Sequence, residues 1–303
     1  MTTLLLRLEN LMEGIIQKRP SKFIKTPYVA DIIPFNDPSL NTAVLGHTAS
    51  LGCCGLADVG ANILMAPVGA KKPNKKNDKE KEETQETQEK PKKLKCEYRV
   101  YLSVWKERGN EMIIGIHPKL AEDLVESALK NNFLSRLLNV QHYKRETTIY
   151  VEGKVDSRFD FSGIDGNGVP FLLEVKNVPL ADYEDITAKD RKNKCYDDRQ
   201  QNTKVAYFPD GYRKKSTDTV SPRALKHIRE LTLVKRESKT RCIMCYVIQR
   251  TDVDKFQPSI IDPEYRAAVK EAVAGGVEII TLVVQWTKSG EAHFIRDDLP
   301  VAI

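Results

Sequence analysis

The sequence predicts an α/β protein with a small β-barrel in its N-terminal part, and three observations carry that expectation. Before residue 112, short apolar segments such as Phe23 to Pro27, Ala43 to Leu45 and Ala61 to Pro67 are punctuated by Gly and Pro, which is the texture of a small barrel. After residue 113, helical periodicity alternates with strand-like runs, which is the texture of an α/β layer. Between the helical segments lie two extended segments, 156–161 and 171–176, joined by the turn-rich Gly163-Ile-Asp-Gly-Asn-Gly168. The expected division is therefore a barrel over 10–112 and an α/β part over 113–303.

The elements follow in order. Thr2 to Met12 is leucine-rich but is interrupted by Glu9 and followed by Glu13, far too short to span a bilayer. Residues 71–95 are nearly all Lys, Glu, Gln, Thr, Asn and Pro; with nothing to bury, they read as a disordered charged insertion within the barrel. Cys96 to Lys106 is a strand rich in β-branched and aromatic residues. Leu120, Leu124, Val125 and Leu129 recur at helical steps behind Pro118, so a helix closes near Asn131-Asn132. A basic patch at Tyr143 to Glu146 leads into a strand from Thr147 to Glu152. The polar stretch from Asp182 to Lys204 reads as a long surface loop or an extra helix. Ser221 caps a helix whose first residue is Pro222. A strand at 241–248, a helix from Pro263 to Ala274, a Gly275-Gly276 stop and a strand from Val277 to Trp286 complete the α/β pattern.

The chemistry concentrates in the hairpin. Strand side chains alternate, so Glu174 and Lys176 share one face opposite Leu173 and Val175, and Arg158 and Asp160 share a face opposite Phe159 and Phe161. A hairpin centred near Gly166 and Asn167 sets Asp160 opposite or diagonal to Glu174, where two carboxylates repel unless a cation lies between them. An Asp followed by Glu-x-Lys on the next strand is the layout of a metal-dependent phosphodiester-cleaving site. The plain alternative is a solvated sheet face.

The composition sets bounds. The formal net charge is +6 over 303 residues, which favours a polyanionic partner. Six cysteines are scattered over a chain with no secretory signal, so a disulfide framework is not expected, and the protein is expected in the cytosol or nucleus and not secreted or membrane-bound. Cys242-Ile-Met-Cys245 has half the spacing of a zinc site, but it lies in a segment that reads as a buried strand, on which residues three apart face opposite ways.

From 98 to 303 the order of segments resembles the sugar fermentation stimulation protein family. The matching words are Ser157 to Phe161, Glu174 to Val178, Phe208-Pro209-Asp210, Arg223 to Leu231, Val247 to Arg250, Ile261 to Tyr265 and Gly276 to Ile279. His47 to Gly52 looks like a further family segment with His and Ala replacing Asn and Gly. The resemblance implies an N-terminal OB-like barrel followed by a PD-(D/E)xK nuclease-like α/β domain that binds nucleic acid, DNA ahead of RNA, and carries a Mg2+ (or Mn2+) nuclease site. Asp160, Glu174 and Lys176 then take the motif's acid, acid and lysine; the Val175 carbonyl is a further metal ligand, Glu146 rather than Glu152 is the upstream acid, and Gln249 orients water or a second ion. Asp210 is either a ligand or the start of a turn, His227 either a phosphate contact or a solvent-tolerant surface residue, and Arg158 either a partner of Asp160 or a phosphate clamp. The competing expectation is a DNA-binding or regulatory protein of carbohydrate metabolism without turnover. For it, Lys18, Arg19, Lys22, Phe23 and Lys25 supply the mixture of bases and an aromatic ring that a strand-binding barrel uses.

Overall fold

The computed structural model describes residues 3–35, 42–48, 54–69, 95–191, 193–211 and 218–303; the charged insertion at 71–94 and the 49–52 part of the His47 segment lie outside them. In chain order the elements are β1 (Thr3–Arg7), β2 (Met12–Lys18), β3 (Val29–Pro34), β4 (Val44–His47), β5 (Asn62–Pro67), β6 (Tyr98–Glu107), β7 (Asn110–Gly115), α1 (Pro118–Lys130), β8 (His142–Val151), β9 (Val155–Ile164) and β10 (Pro170–Val178). They continue with β11 (Ala181–Asp182), α2 (Ala188–Arg191), β12 (Lys204–Phe208), α3 (Pro222–Glu237), β13 (Arg241–Ile248), β14 (Val253–Pro258), α4 (Pro263–Ala274), β15 (Glu278–Trp286) and β16 (Glu291–Arg296). The polar stretch from Asp182 thus contains one short helix, α2.

Five strands close the predicted barrel. β2 pairs antiparallel with β3 and β5, β3 with β4, and β5 with β6. A parallel contact of β4 with β6, through Gly46–Tyr98 and His47–Arg99, shuts the ring and leaves no open edge there. Its interior is aliphatic, with Ile16, Ile32, Ile63, Met65 and Val100 all at most 1% exposed. Gly46 leaves room for the Ile32 side chain at that closure, since a Cβ would lie 2.2 Å from Ile32 Cδ1 and would force that methyl to move.

Beyond β7 the sheet continues through β15, β13, β10, β9 and β8, with β10, β13 and β15 parallel. Helix α1 lays Leu120, Leu124 and Val125 on one face, against Leu173, Val175, Ile243 and Cys245. Helices α3 and α4 cover the other face, where Ile228, Leu231 and Val269 meet Leu172, Cys242, Met244 and Tyr246. Each fully buried leucine or isoleucine in these layers stabilises the fold by roughly 2 kcal/mol. Cys242 and Cys245 face opposite layers as buried strand residues. Caps start the two helices of the second layer: Ser221 Oγ accepts from the Ala224 N–H at 3.4 Å and Asp262 Oδ1 from the Tyr265 N–H at 3.1 Å, each with Pro next in the chain. Among the described residues no helix is long and apolar enough to cross a membrane.

One feature of the alternation departs from expectation. Phe159 and Phe161 do not share a face: Phe159 packs into the α3/α4 layer and Phe161 into the α1 layer. Across the ladder, Arg145 pairs with Phe161 and Thr147 with Phe159, and Glu146 between them takes a left-handed backbone with φ 55°. A non-glycine residue in that region is uncommon and marks an irregularity of β8 beside the two phenylalanines.

Candidate active site

The site lies where β9 and β10 part. Their pairing runs from Ile164–Pro170 to Phe161–Leu173 and then stops, one step before Asp160 and Glu174. The turn that sets this register is built by Asp165, whose Oδ1 accepts the N–H groups of Asn167 at 2.9 Å and Val169 at 2.8 Å. Past the split, the Val175 N–H turns to Asp160 and donates to its Oδ2 at 2.7 Å. A cavity of about 270 Å³ opens beside them, toward the carboxyl end of β10, lined by Asp160, Glu174, Val175 and Lys176, by Glu122 of α1, and by Asp210 and Arg223. Crevices at the carboxyl ends of parallel strands are the usual ligand positions in α/β sheets.

Glu174 is 2% exposed. Its Oε1 accepts from Lys176 Nζ and contacts His227 Nδ1, while its Oε2, equally buried, has no hydrogen-bond partner. Burial is the largest influence on the Glu174 carboxyl and works against its charge, yet the Lys176 charge and the His227 contact together hold it below the usual carboxylate range. Asp160 goes the other way: burial, and next the negative charge of Glu174, push it up to about 7, against the pull of Lys176 and the Val175 N–H. The two acids therefore divide their roles in the free protein, one charged and one readily protonated.

These groups fit a hard dication. Among the described residues no three His, Cys, Asp or Glu side chains cluster closely enough to hold a metal ion by themselves. Two carboxylates lining one cavity, one of them with a buried oxygen that has no partner, match what magnesium asks of a protein when water completes its shell.

Other expected residues are placed elsewhere. Glu146 stands outside the cavity, half-exposed on β8 and 3.4 Å from Arg158. Arg158 accordingly pairs with Glu146 and not with Asp160. Gln249 is fully buried, donating to Asn177 Oδ1 and accepting from Trp286 Nε1, both at 2.7 Å. His227 is not a surface residue: it is 5% exposed and sits against Glu174. In the basic run, Arg19 donates to the Pro27 and Ala57 carbonyls and so ties a loop of the barrel, whereas Lys18, Lys22, Phe23 and Lys25 face solvent.

Two contributors escaped sequence reasoning. The burial of His227 was legible in the stripe Ala224, His227, Ile228 and Leu231, which follows helical spacing. Glu122 had no such signal. It reaches the cavity because Arg145 holds three acids of α1 at once, Glu122 at 2.8 Å, Asp123 at 3.0 Å and Glu126 at 2.9 Å, and lies 5.4 Å over the Phe161 ring.

Comparison with known proteins agrees with this architecture. A family model described as "Sugar fermentation stimulation protein RE domain" matches residues 192–290. A sugar fermentation stimulation protein homolog of Shewanella sediminis is 29% identical over 199 residues, 63% of this chain and 72% of that one. Homologs of the same name from Pseudomonas putida and Pseudomonas fluorescens are each 34% identical, over 53% and 60% of this chain. The matches span only 55% and 64% of those two relatives' lengths. The solved structure of Pyrococcus furiosus SfsA in complex with Ca2+ has the same fold, with a TM-score of 0.67 and 19% identity over 99% of this chain and 100% of that one. With the closed barrel, the order of the strands and these relatives in agreement, the chain is similar to sugar fermentation stimulation proteins in part of its sequence and shares their fold.

Proposed function

We propose that Asp160, Glu174 and Lys176 form a nuclease site that hydrolyses phosphodiesters of nucleic acid, DNA ahead of RNA, with Mg2+ or Mn2+ held by the two carboxylates and the Val175 carbonyl. The observation that carries this reading is the buried Glu174 Oε2 without a partner, beside an Asp160 whose carboxyl burial, and next the Glu174 charge, raise above its ordinary range. A pair of acids arranged in this way gains most when a cation arrives. When bound, the dication supplies Lewis-acid stabilisation of charge on the phosphoryl oxygens.

The protein's own groups do the rest. Asp160, steadied by the Val175 N–H, gives up its proton and turns an anionic oxygen to the cavity. His227 fixes one oxygen of Glu174 and so leaves the other to bind. Lys176 and Arg223 bring positive charge to the phosphate, and Glu122 is a third acid positioned to take a proton from the attacking water. The net charge of +6 favours a polyanion. The Pyrococcus relative's complex with Ca2+ supports a hard dication in this fold. In this reading the barrel over 10–112 guides the strand, the part over 113–303 cuts it, and the protein works in the cytosol or nucleus.

The test uses end-labelled DNA and RNA oligonucleotides with wild type and Asp160→Ala, in Mg2+, in Mn2+ and in EDTA. Shortening of the label only with wild type and a dication is the expected result. Retained binding with no loss of substrate under any condition would instead establish a binding protein without turnover.

A further inference from the structure

On the outer side of the barrel, four polar groups are buried with nothing to bond. Among the described residues eleven buried side-chain polar atoms have no hydrogen-bond partner, and four of them belong to His47 (Nδ1), to Thr48 next to it in the chain (Oγ1), to Arg99 (Nε) and to His117 (Nδ1). Thr48 is 0% and His117 8% exposed. The closure of the barrel brings them together, because His47 pairs with Arg99 across the parallel β4–β6 contact. The His117 ring lies 5.3 Å from the Tyr101 ring of β6, two residues along from Arg99. Each unmet buried donor or acceptor costs about 1–3 kcal/mol, and such groups are normally paired, so four at one point mark a place that a ligand completes.

The chemistry of the cluster selects the ligand. Arg99 is cationic, and among the described residues no carboxylate pairs with it. Burial first, and then the Arg99 charge, hold the His47 and His117 imidazoles below their ordinary range, His117 at about 4 with further contributions from His47 and Lys119. The Arg99 charge beside imidazole and hydroxyl groups without partners suits a tetrahedral oxyanion. His117 immediately precedes Pro118, which lines the cavity holding Asp160 and Glu174. The Tyr28 ring, 40% exposed, lies nearly parallel to His47 with centroids 6.4 Å apart, offering a base a stacking surface beside the anion.

We propose that His47, Thr48, Arg99 and His117 form a phosphate subsite that holds a backbone phosphate of the nucleic acid next to the one in the cavity, an inference that rests on the nuclease reading. The test measures binding of a fluorescent single-stranded DNA in EDTA by anisotropy over a range of salt, for wild type, Arg99→Gln, Thr48→Val and Asp160→Asn. Arg99→Gln should weaken binding about tenfold and flatten the plot of log K against log salt by about 0.7, one phosphate contact on a single strand. Thr48→Val should also bind more weakly while melting no lower than wild type, since it removes a hydroxyl that has no partner in the fold, and Asp160→Asn should bind at least as well as wild type. Unchanged affinity and salt slope in both Arg99→Gln and Thr48→Val would overturn the subsite. Displacement of the DNA by equimolar inorganic phosphate would overturn its assignment to nucleic acid, because the site would then take free phosphate. The two readings separate cleanly: intact binding by both subsite variants with wild-type cleavage refutes only the subsite, and lost binding with no cleavage by wild type refutes only the nuclease.

Discussion

Replacing Asp160 by asparagine removes a charge that the folded protein resists and keeps an oxygen for the Val175 N–H, so the metal-free protein should become more stable. The sign follows from the direction of the shift. An acid raised from its ordinary 3.8 to about 7 binds more protons in the folded state than in the unfolded one between those values. Stability is thus lost as pH rises through that window, and the whole penalty is present at pH 8. At about 1.36 kcal/mol per tenfold, the ceiling is about 4 kcal/mol. Relaxation of the half-buried side chain toward the open cavity reduces this, so the expected gain for Asp160→Asn at pH 8 is about 1–3 kcal/mol, or on the order of 2–8 °C in Tm. At pH 5 the gain should shrink by more than half. The assay is thermal unfolding of both proteins in EDTA across this pH range, repeated in Mg2+. At a hundredfold excess over Kd the dication should add about 2.7 kcal/mol to wild type and clearly less to the variant. A variant that melts below wild type at pH 8 in EDTA, or a difference that does not vary with pH, would refute the argument and make Asp160 a structural partner of β10.

Three further outcomes are expected. His227→Gln releases the Glu174 oxygen that His227 fixes, and should weaken Mn2+ binding by about 10–100-fold in titration calorimetry without unfolding the protein. Arg145→Met leaves three acids of α1 without their shared cation and should lower the unfolding free energy by about 1–3 kcal/mol in a denaturant titration, with cleavage also reduced because Glu122 loses its anchor. Maleimide labelling of the native protein followed by mass spectrometry should modify the exposed Cys54 and Cys195 and spare Cys242 and Cys245, whose thiols burial pushes up, Cys242 to about 12.

What the sequence alone determined is what short-range periodicity encodes. Alternation around a Gly-rich turn brought Asp160, Glu174 and Lys176 to one hairpin, because register there depends only on the turn between them. The helices behind Pro118, Pro222 and Pro263 were legible from caps and apolar stripes for the same local reason. The tertiary structure alone decided everything that joins distant parts of the chain. β4 meets β6 across an insertion, and β1 meets β16 from opposite ends of the sequence, pairings that no local pattern announces. Phe159 and Phe161 went to opposite layers, and Arg158 found its partner in Glu146 of the neighbouring strand, because the packing on the two sides of the sheet decides what each side chain meets. Glu122 and His227 reached the acids from two helices on opposite faces of the sheet, and only the packing of those helices sets which of their side chains meet the cavity.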